Sequence, residues 1–92
     1  MAIFAVISQP SQNADQFPLA VDRHFPEDNL QLTETTWLIA AAMSATMLSD
    51  KLGVSDGTNG SAIVLEVDDY FGRASKNIWS WIKEKWEATT NG

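Results

Sequence analysis

The chain of 92 residues has no cysteine, which excludes disulfide bonds, cysteine-ligated zinc and thiol catalysis. It is also poor in basic residues, with six Lys and Arg against twelve Asp and Glu, so its net charge is −6. This charge disfavours non-specific attraction to nucleic acid or to an anionic membrane. Long hydrophobic runs are absent too, because the apolar stretch 37–43 is far shorter than the ~20 residues of a membrane helix. No basic residue precedes Arg23, so we expect no signal peptide and a cytoplasmic location.

The composition is that of a folded protein. Hydrophobic residues make up 45% of the chain and charged residues 20%, values typical of globular domains. A chain of this length buries only roughly 60–65% of its unfolded surface, so its core is thin. We found no internal repeat, linker or composition shift, and we expect a single domain over residues 1–92.

The first half of the chain alternates between strand and helix patterns. Residues 2–7 form a short, β-branched apolar run that ends in polar turn residues, which predicts a buried strand. Phe17, Val21 and Phe25 recur every four residues, which predicts an amphipathic helix over 18–25 that Pro26 ends. The alternation of residues 30–33 then predicts a half-buried strand.

Residues 36–42 are ambiguous, because their alanines favour a helix while Trp37 and Ile39 favour a strand. Ser44 decides between the two, since it suits the N-cap of a helix over 45–52. Gly53 supplies the left-handed position that follows such a helix. We therefore predict a strand over 36–42 and a separate helix after it.

The last part of the chain contains a strand pattern and a helix pattern. Residues 61–67 alternate, with Ile63, Leu65 and Val67 on one face, which predicts a strand. An amphipathic helix then extends from Ser75 to about Ala88. The element order predicts an α+β fold, namely a ferredoxin-like βαββαβ sheet with two helices on one face, plus a C-terminal amphipathic helix.

Three segments also resemble a known family: the apolar strand 2–8, the Thr-Thr-Trp-Leu-Ile strand 35–39, and the Leu-Ser-Asp-Lys-Leu-Gly helix end 48–53. They are similar to those of small ferredoxin-like proteins related to the dimeric nuclease-like subunit of CRISPR adaptation complexes. The resemblance covers residues 1–71. It implies a ferredoxin-like fold that forms homodimers through a sheet edge or the C-terminal segment.

The family's metal-binding aspartate, which follows its first strand, has no counterpart here. The corresponding stretch, residues 7–10, is Ile-Ser-Gln-Pro, without a carboxylate. Magnesium needs carboxylate ligands, so the resemblance implies a protein without nuclease activity.

Three other features have a functional and a structural interpretation. Glu66, Asp68 and Asp69 are candidate metal ligands, or solvated acids at a strand end, which we favour. His24 is the sole histidine, and we expect a helix-end residue rather than a catalytic one. The Gly57–Gly60 segment resembles a phosphate-binding Gly-x-x-Gly loop but lacks basic neighbours, so we expect a plain connection.

The most informative segment is 78–86, which holds three of the four tryptophans. Residues 70–92 carry a net charge of +2, whereas residues 1–69 carry −8. The tryptophans either pack on the protein's own core or contact a partner, and base stacking beside lysine is a third alternative. We expect Trp81, which lies off the main apolar stripe, to face a partner, so that Trp81→Ala weakens association more than folding. The predicted interface residues are Trp79, Trp81, Trp86, Lys83 and Lys85.

These features predict a non-enzymatic, homodimerising protein-interaction domain that uses no cofactor and acts through the C-terminal tryptophan-rich helix. The enzyme alternative is a metal-dependent nuclease that would use Glu66, Asp68 and Asp69. A further alternative is a nucleic-acid binder, or an acidic decoy that occupies the site of a basic partner; either would lose binding in moderate salt.

Overall fold

A computed structural model of the chain describes the backbone of residues 2–91 and the side chains of residues 2–87. The described residues form four strands, three α-helices and one 3-10 turn, Ala14–Gln16. The strands are β1 (Ala2–Gln9), β2 (Asn29–Thr33), β3 (Thr36–Ala41) and β4 (Ser61–Glu66). The helices are α1 (Phe17–His24), α2 (Ala45–Leu52) and α3 (Lys76–Asn91).

The four strands form one antiparallel sheet in the order β2-β3-β1-β4. The prediction of an α+β fold is therefore confirmed. β1 and β3 lie in the centre, where α1 and α2 cover one face and α3 covers part of the other, which explains their nearly continuous apolar sequences. β2 and β4 form the two edges of the sheet.

Helices α1 and α2 cover one face of the sheet. The side chains buried there include Phe4 and Val6 of β1, Phe17 of α1, and Leu48 and Leu52 of α2. The Phe17 ring packs edge-on against Trp37 of β3, with ring centroids 5.0 Å apart. This face holds the larger of the two hydrophobic clusters and is the main core.

The two ends of α2 lie where the sequence predicts them, so the residues before Ser44 are not part of this helix and form strand β3 instead. The Ser44 hydroxyl accepts a hydrogen bond from the Met47 N–H, at 3.2 Å, as an N-cap does. Gly53 has φ 78°, and its N–H donates to the Asp50 carbonyl. The Val54 N–H donates to the Ser49 carbonyl at 3.1 Å, which completes a Schellman motif. Because both ends are fixed locally, residues 36–41 are free to form β3.

Helix α1 is displaced by one residue from its predicted bounds of 18–25. It begins at Phe17, with Pro18 in its first turn, and ends at His24. Phe25 leaves the helical conformation, at φ −136° and ψ 61°, because the following proline crowds a residue in the α region. Phe25 remains buried in the main core.

Helix α3 lies on the opposite face of the sheet. The Ser75 carbonyl accepts hydrogen bonds from the Ile78 and Trp79 N–H groups, and the helix extends to residue 91, beyond the predicted end at 88. Its Ile82 packs with Ile3 and Leu38 in a second, smaller cluster. The sheet is thus enclosed by α1 and α2 on one side and partly covered by α3 on the other.

Candidate interaction surface

Helix α3 leaves part of its face of the sheet uncovered. It packs mainly against β1 and β2, whereas α2 contacts β4 from the other face. The strand order places β4 at the edge furthest from β2. The half of this face that β1 and β4 form is therefore the least covered part of the sheet.

Four apolar side chains occupy the uncovered region and its border with the cluster beneath α3, against which Ala5 packs, and we call them the β4 patch: Ala5, Ile7, Ile63 and Leu65. Ile7 lies directly opposite Ile63 and Ala5 opposite Leu65 in the antiparallel pairing of β1 with β4. Ile63 is 47% exposed and Leu65 is 49% exposed, whereas Ala5 and Ile7 are half-buried. Four adjacent apolar side chains on an open sheet face are typical of a contact surface rather than of scattered exposed residues.

The free edge of β4 adds unpaired backbone groups to this patch. The Val67 N–H donates to the Ile3 carbonyl, at 2.8 Å, so odd-numbered residues of β4 point their backbone groups toward β1. The N–H and C=O groups of Ala62, Val64 and Glu66 consequently point away from the sheet. They form a row of donors and acceptors beside which the described part of the chain places no strand.

The β4 edge lacks the features that normally protect a sheet edge. Its pairing with β1 is regular, and its sequence contains no proline or lysine and a single charge, on Glu66. The opposite edge, β2, carries a register shift between Gln31 and Thr33 that interrupts its edge. Of the two edges, β4 is therefore the one suited to pairing with another strand.

A cavity of about 390 Å³ lies between α3, the sheet and the segment that joins β4 to α3. Its walls are mainly apolar and include Ile3, Leu38 and Trp79, with the exposed Asp69 and Arg73 also in its lining. Phe71, which also lines it, is fully exposed. The volume is within the range of small-molecule pockets. The two charged side chains have opposite signs, so their charges do not indicate a particular ligand.

The three predicted interface tryptophans are all half-buried and pack in the cluster beneath α3. Tyr70 lies beside two of them, with its ring centroid 6.0 Å from that of Trp79 and 4.9 Å from that of Trp86. The same tyrosine follows β4, so it connects the last strand to the helix. These contacts favour a role for the tryptophans in holding α3 on the sheet.

The two predicted interface lysines differ in their surroundings. Lys83 is exposed, whereas the Lys85 Nζ donates to Asp28 Oδ1 at 2.9 Å. The Lys85 Nζ also lies 6.0 Å from the centre of the Trp81 ring. Lys85 thus links α3 to the turn before β2, and its hydrogen bond to the Asp28 carboxylate raises the pKa of Lys85.

This ion pair predicts a loss of stability at alkaline pH. Because its pKa is raised on folding, Lys85 contributes fully below the unfolded value of about 10.4, and the contribution disappears as the pH rises through the folded value. We expect the pair to contribute about 0.2–1 kcal/mol to the free energy of unfolding, because the Asp28 side chain is 38% exposed and solvent therefore weakens the attraction. Urea denaturation at pH 8 and pH 11 measures this, with Lys85→Met as the control. An equal pH dependence in both proteins would show that the pair contributes nothing.

The candidate metal ligands are not gathered into a metal site. Glu66, Asp68 and Asp69 are all exposed, and Asp69 Oδ1 accepts a hydrogen bond from the Tyr70 N–H. Among the described residues, no three His, Asp or Glu side chains are grouped closely enough to hold a metal ion. Their arrangement agrees with the interpretation as solvated acids at the end of a strand.

Polar groups in and around the Gly57–Gly60 loop form hydrogen bonds within the chain itself. Asp56 Oδ1 accepts from the Thr58 N–H at 3.0 Å, which lowers the pKa of Asp56, and the Asn59 side chain donates to the Leu52 carbonyl at 2.8 Å. The loop therefore closes the end of α2. His24, the other isolated candidate, is the half-buried last residue of α1.

The sequence contained one signal for the β4 patch. The alternation in 61–67 placed Ile63 and Leu65 on one face, but it did not show whether a helix would cover that face. Only the position of α3 over β1 and β2 identifies these residues as exposed.

Comparisons with known proteins suggest neither a family nor a function for this chain. A scan of protein-family models, a search of curated proteins and a search of solved structures each found no match to this chain. Within the described residues, no helix is both long enough and apolar enough to cross a bilayer. The functional inference therefore rests on the surfaces of the chain itself.

Proposed function

We propose that the chain is a non-enzymatic protein-interaction domain, able to form homodimers, whose contact surface is the β4 patch with the free edge of β4. The observation that carries this proposal is the exposure of Ile63 and Leu65 on an edge strand without protective residues. Pairing with another strand would bring both side chains into lateral contact with side chains of that strand on the same face, and it would satisfy the outward backbone groups of β4 at once.

We further infer that the sheet has the ferredoxin-like topology, which the resemblance implies. Support comes from the order β1-α1-β2-β3-α2-β4 and from the pairing of β1 with both β3 and β4. In this proposal the relation to CRISPR adaptation subunits is limited to fold and dimer formation, since residues 7–10 offer no carboxylate.

The role we assign to α3 is to support the sheet rather than to form the contact itself. Its Trp79, Trp81 and Trp86 are engaged in the cluster on the sheet, and Lys85 is paired with Asp28. By covering β1 and β2, α3 confines the exposed apolar area to the β4 side. We therefore expect Trp81→Ala to act on association through the placement of α3.

The proposal predicts that a charge on the β4 patch abolishes association while the fold survives. Leu65→Lys places an ammonium group on an exposed position, so the monomer tolerates it, but in the paired strands it would replace an apolar cross-strand contact with a charge that has no opposite charge beside it. The matched control is Met47→Lys on α2, where the methionine is 59% exposed. Tagged proteins are compared in pull-downs with nuclease treatment and by molar mass in solution.

We expect Met47→Lys to retain bound protein, including its own untagged copies, as the unmodified chain does. Leu65→Lys should retain at least tenfold less. If Leu65→Lys and the unmodified chain retain the same proteins in equal amounts, the β4 patch is not the contact surface and the proposal is wrong.

A further inference from the structure

We propose that the occupant of the β4 edge is β4 of a second copy, paired antiparallel about a two-fold axis at Val64. This inference rests on the proposed function and names its partner. It joins two four-stranded sheets into one continuous sheet. Two features of β4 support this pairing: the direction of its free backbone groups and the side chains that the register places opposite each other.

The backbone sets which registers are possible. Only Ala62, Val64 and Glu66 point their N–H and C=O groups outward, so each must face another outward residue of the second copy. Placing Val64 opposite Val64 also places Ala62 opposite Glu66 on both sides of the axis. This register uses all three outward residues of each copy and forms about six hydrogen bonds. A shift by two residues leaves one of the three without a partner inside the strand.

The side chains fit the same register. Ile63 of one copy lies opposite Leu65 of the other, and the symmetry repeats this contact, so the two β4 patches become one apolar surface. On the other face, Val64 meets Val64. Glu66 faces Ala62, and the two Glu66 carboxylates are separated by about four residues of strand, or roughly 13 Å. The register therefore brings no like charges directly opposite each other.

The other edge of the sheet, β2, is less suited to pairing with a second copy. β2 has a register shift between Gln31 and Thr33, which interrupts the alternation that a continuous ladder needs. Its Leu30 and Leu32 also pack into the cluster beneath α3. A second copy at β2 would find fewer aligned backbone groups and less free apolar surface.

A single introduced cysteine tests the register directly, because the chain has none of its own. In a hydrogen-bonded antiparallel pair the two Cα atoms lie about 5.5 Å apart and the Cβ atoms are almost as far apart, which is too wide for an unstrained disulfide but within reach of a short thiol-specific cross-linker. Val64→Cys should therefore form a covalent dimer with a bismethanethiosulfonate reagent whose two reactive groups are joined by a short ethylene spacer. The matched control is Ser61→Cys on the same strand, whose counterpart lies about 20 Å away in this register.

We expect covalent dimer from most of the Val64→Cys protein and at least tenfold less from Ser61→Cys. Circular dichroism verifies that each variant is folded. Because Val64 packs partly on the main core, a second design is an equal mixture of Ala62→Cys and Glu66→Cys proteins. This mixture should give the mixed cross-linked dimer with the same reagent, while each protein alone should not.

Equal cross-linking of Val64→Cys and Ser61→Cys would overturn this register, and so would a folded Val64→Cys protein that stays uncross-linked. If the chain is a monomer but Leu65→Lys still loses another bound protein, the second copy and homodimer formation are wrong, while the β4 patch stands as the surface that contacts a protein partner. If Leu65→Lys also has no effect on the retention of any protein, both the second-copy inference and the proposed function are wrong.

Discussion

Phe17→Ala is expected to lower the free energy of unfolding by about 3–5 kcal/mol, because it removes a fully buried aromatic ring from the main core. Phe17 packs edge-on against Trp37 and joins α1 to the sheet. Small domains are stabilised by only about 5–15 kcal/mol, so this loss removes a large share of the total. Urea denaturation followed by far-UV circular dichroism measures it.

Leu19→Ala is the matched control for this prediction. Leu19 belongs to the same helix but is 55% exposed, so its truncation should change the free energy of unfolding by no more than about 0.5 kcal/mol. The described packing of α1 would be wrong if the two variants were equally stable.

Glu66→Pro is expected to raise the dimer dissociation constant by about 10- to 100-fold. The Glu66 N–H points away from β1, so proline removes a hydrogen bond of the proposed dimer without removing one from the sheet. By symmetry each dimer loses two bonds of about 1 kcal/mol each, and an Ala62 carbonyl of each copy is left without its donor.

Glu66→Ala separates the effect of the backbone from that of the charge, because it keeps the N–H and removes the carboxylate. It should dimerise within about threefold of the unmodified chain, since the exposed Glu66 faces only alanine in the proposed register. Sedimentation equilibrium measures the dimer dissociation constants of Glu66→Pro, Glu66→Ala and the unmodified chain. If Glu66→Pro dimerises as well as Glu66→Ala, the dimer does not form through the outward backbone groups of β4, and the proposed strand pairing is wrong.

Much of the fold was predictable because its signals are local. Ser44 and Gly53 fix the ends of α2 through hydrogen bonds within a few residues, so the sequence alone separated α2 from β3. Pro26 ended α1 within one residue of its predicted end for the same reason. The alternation of Ile63 and Leu65 correctly placed both on one face of β4.

The candidate surface was not predictable to the same degree, because it depends on where α3 packs. Its tryptophans marked the helix as important but could not show whether they would contact the sheet or a partner. That choice depends on non-local contacts such as Lys85 with Asp28 and Tyr70 with Trp86. The exposure of Ile63 and Leu65 is a consequence of the same placement.

The most direct test of this account is the molar mass of the unmodified chain by sedimentation equilibrium over a dilution series, with Leu65→Lys run beside it. We expect twice the 10.1 kDa chain mass at high concentration for the unmodified chain, and 10.1 kDa throughout for Leu65→Lys. A mass of 10.1 kDa for the unmodified chain at every concentration, or a Leu65→Lys dimer of undiminished strength, would contradict self-association through β4.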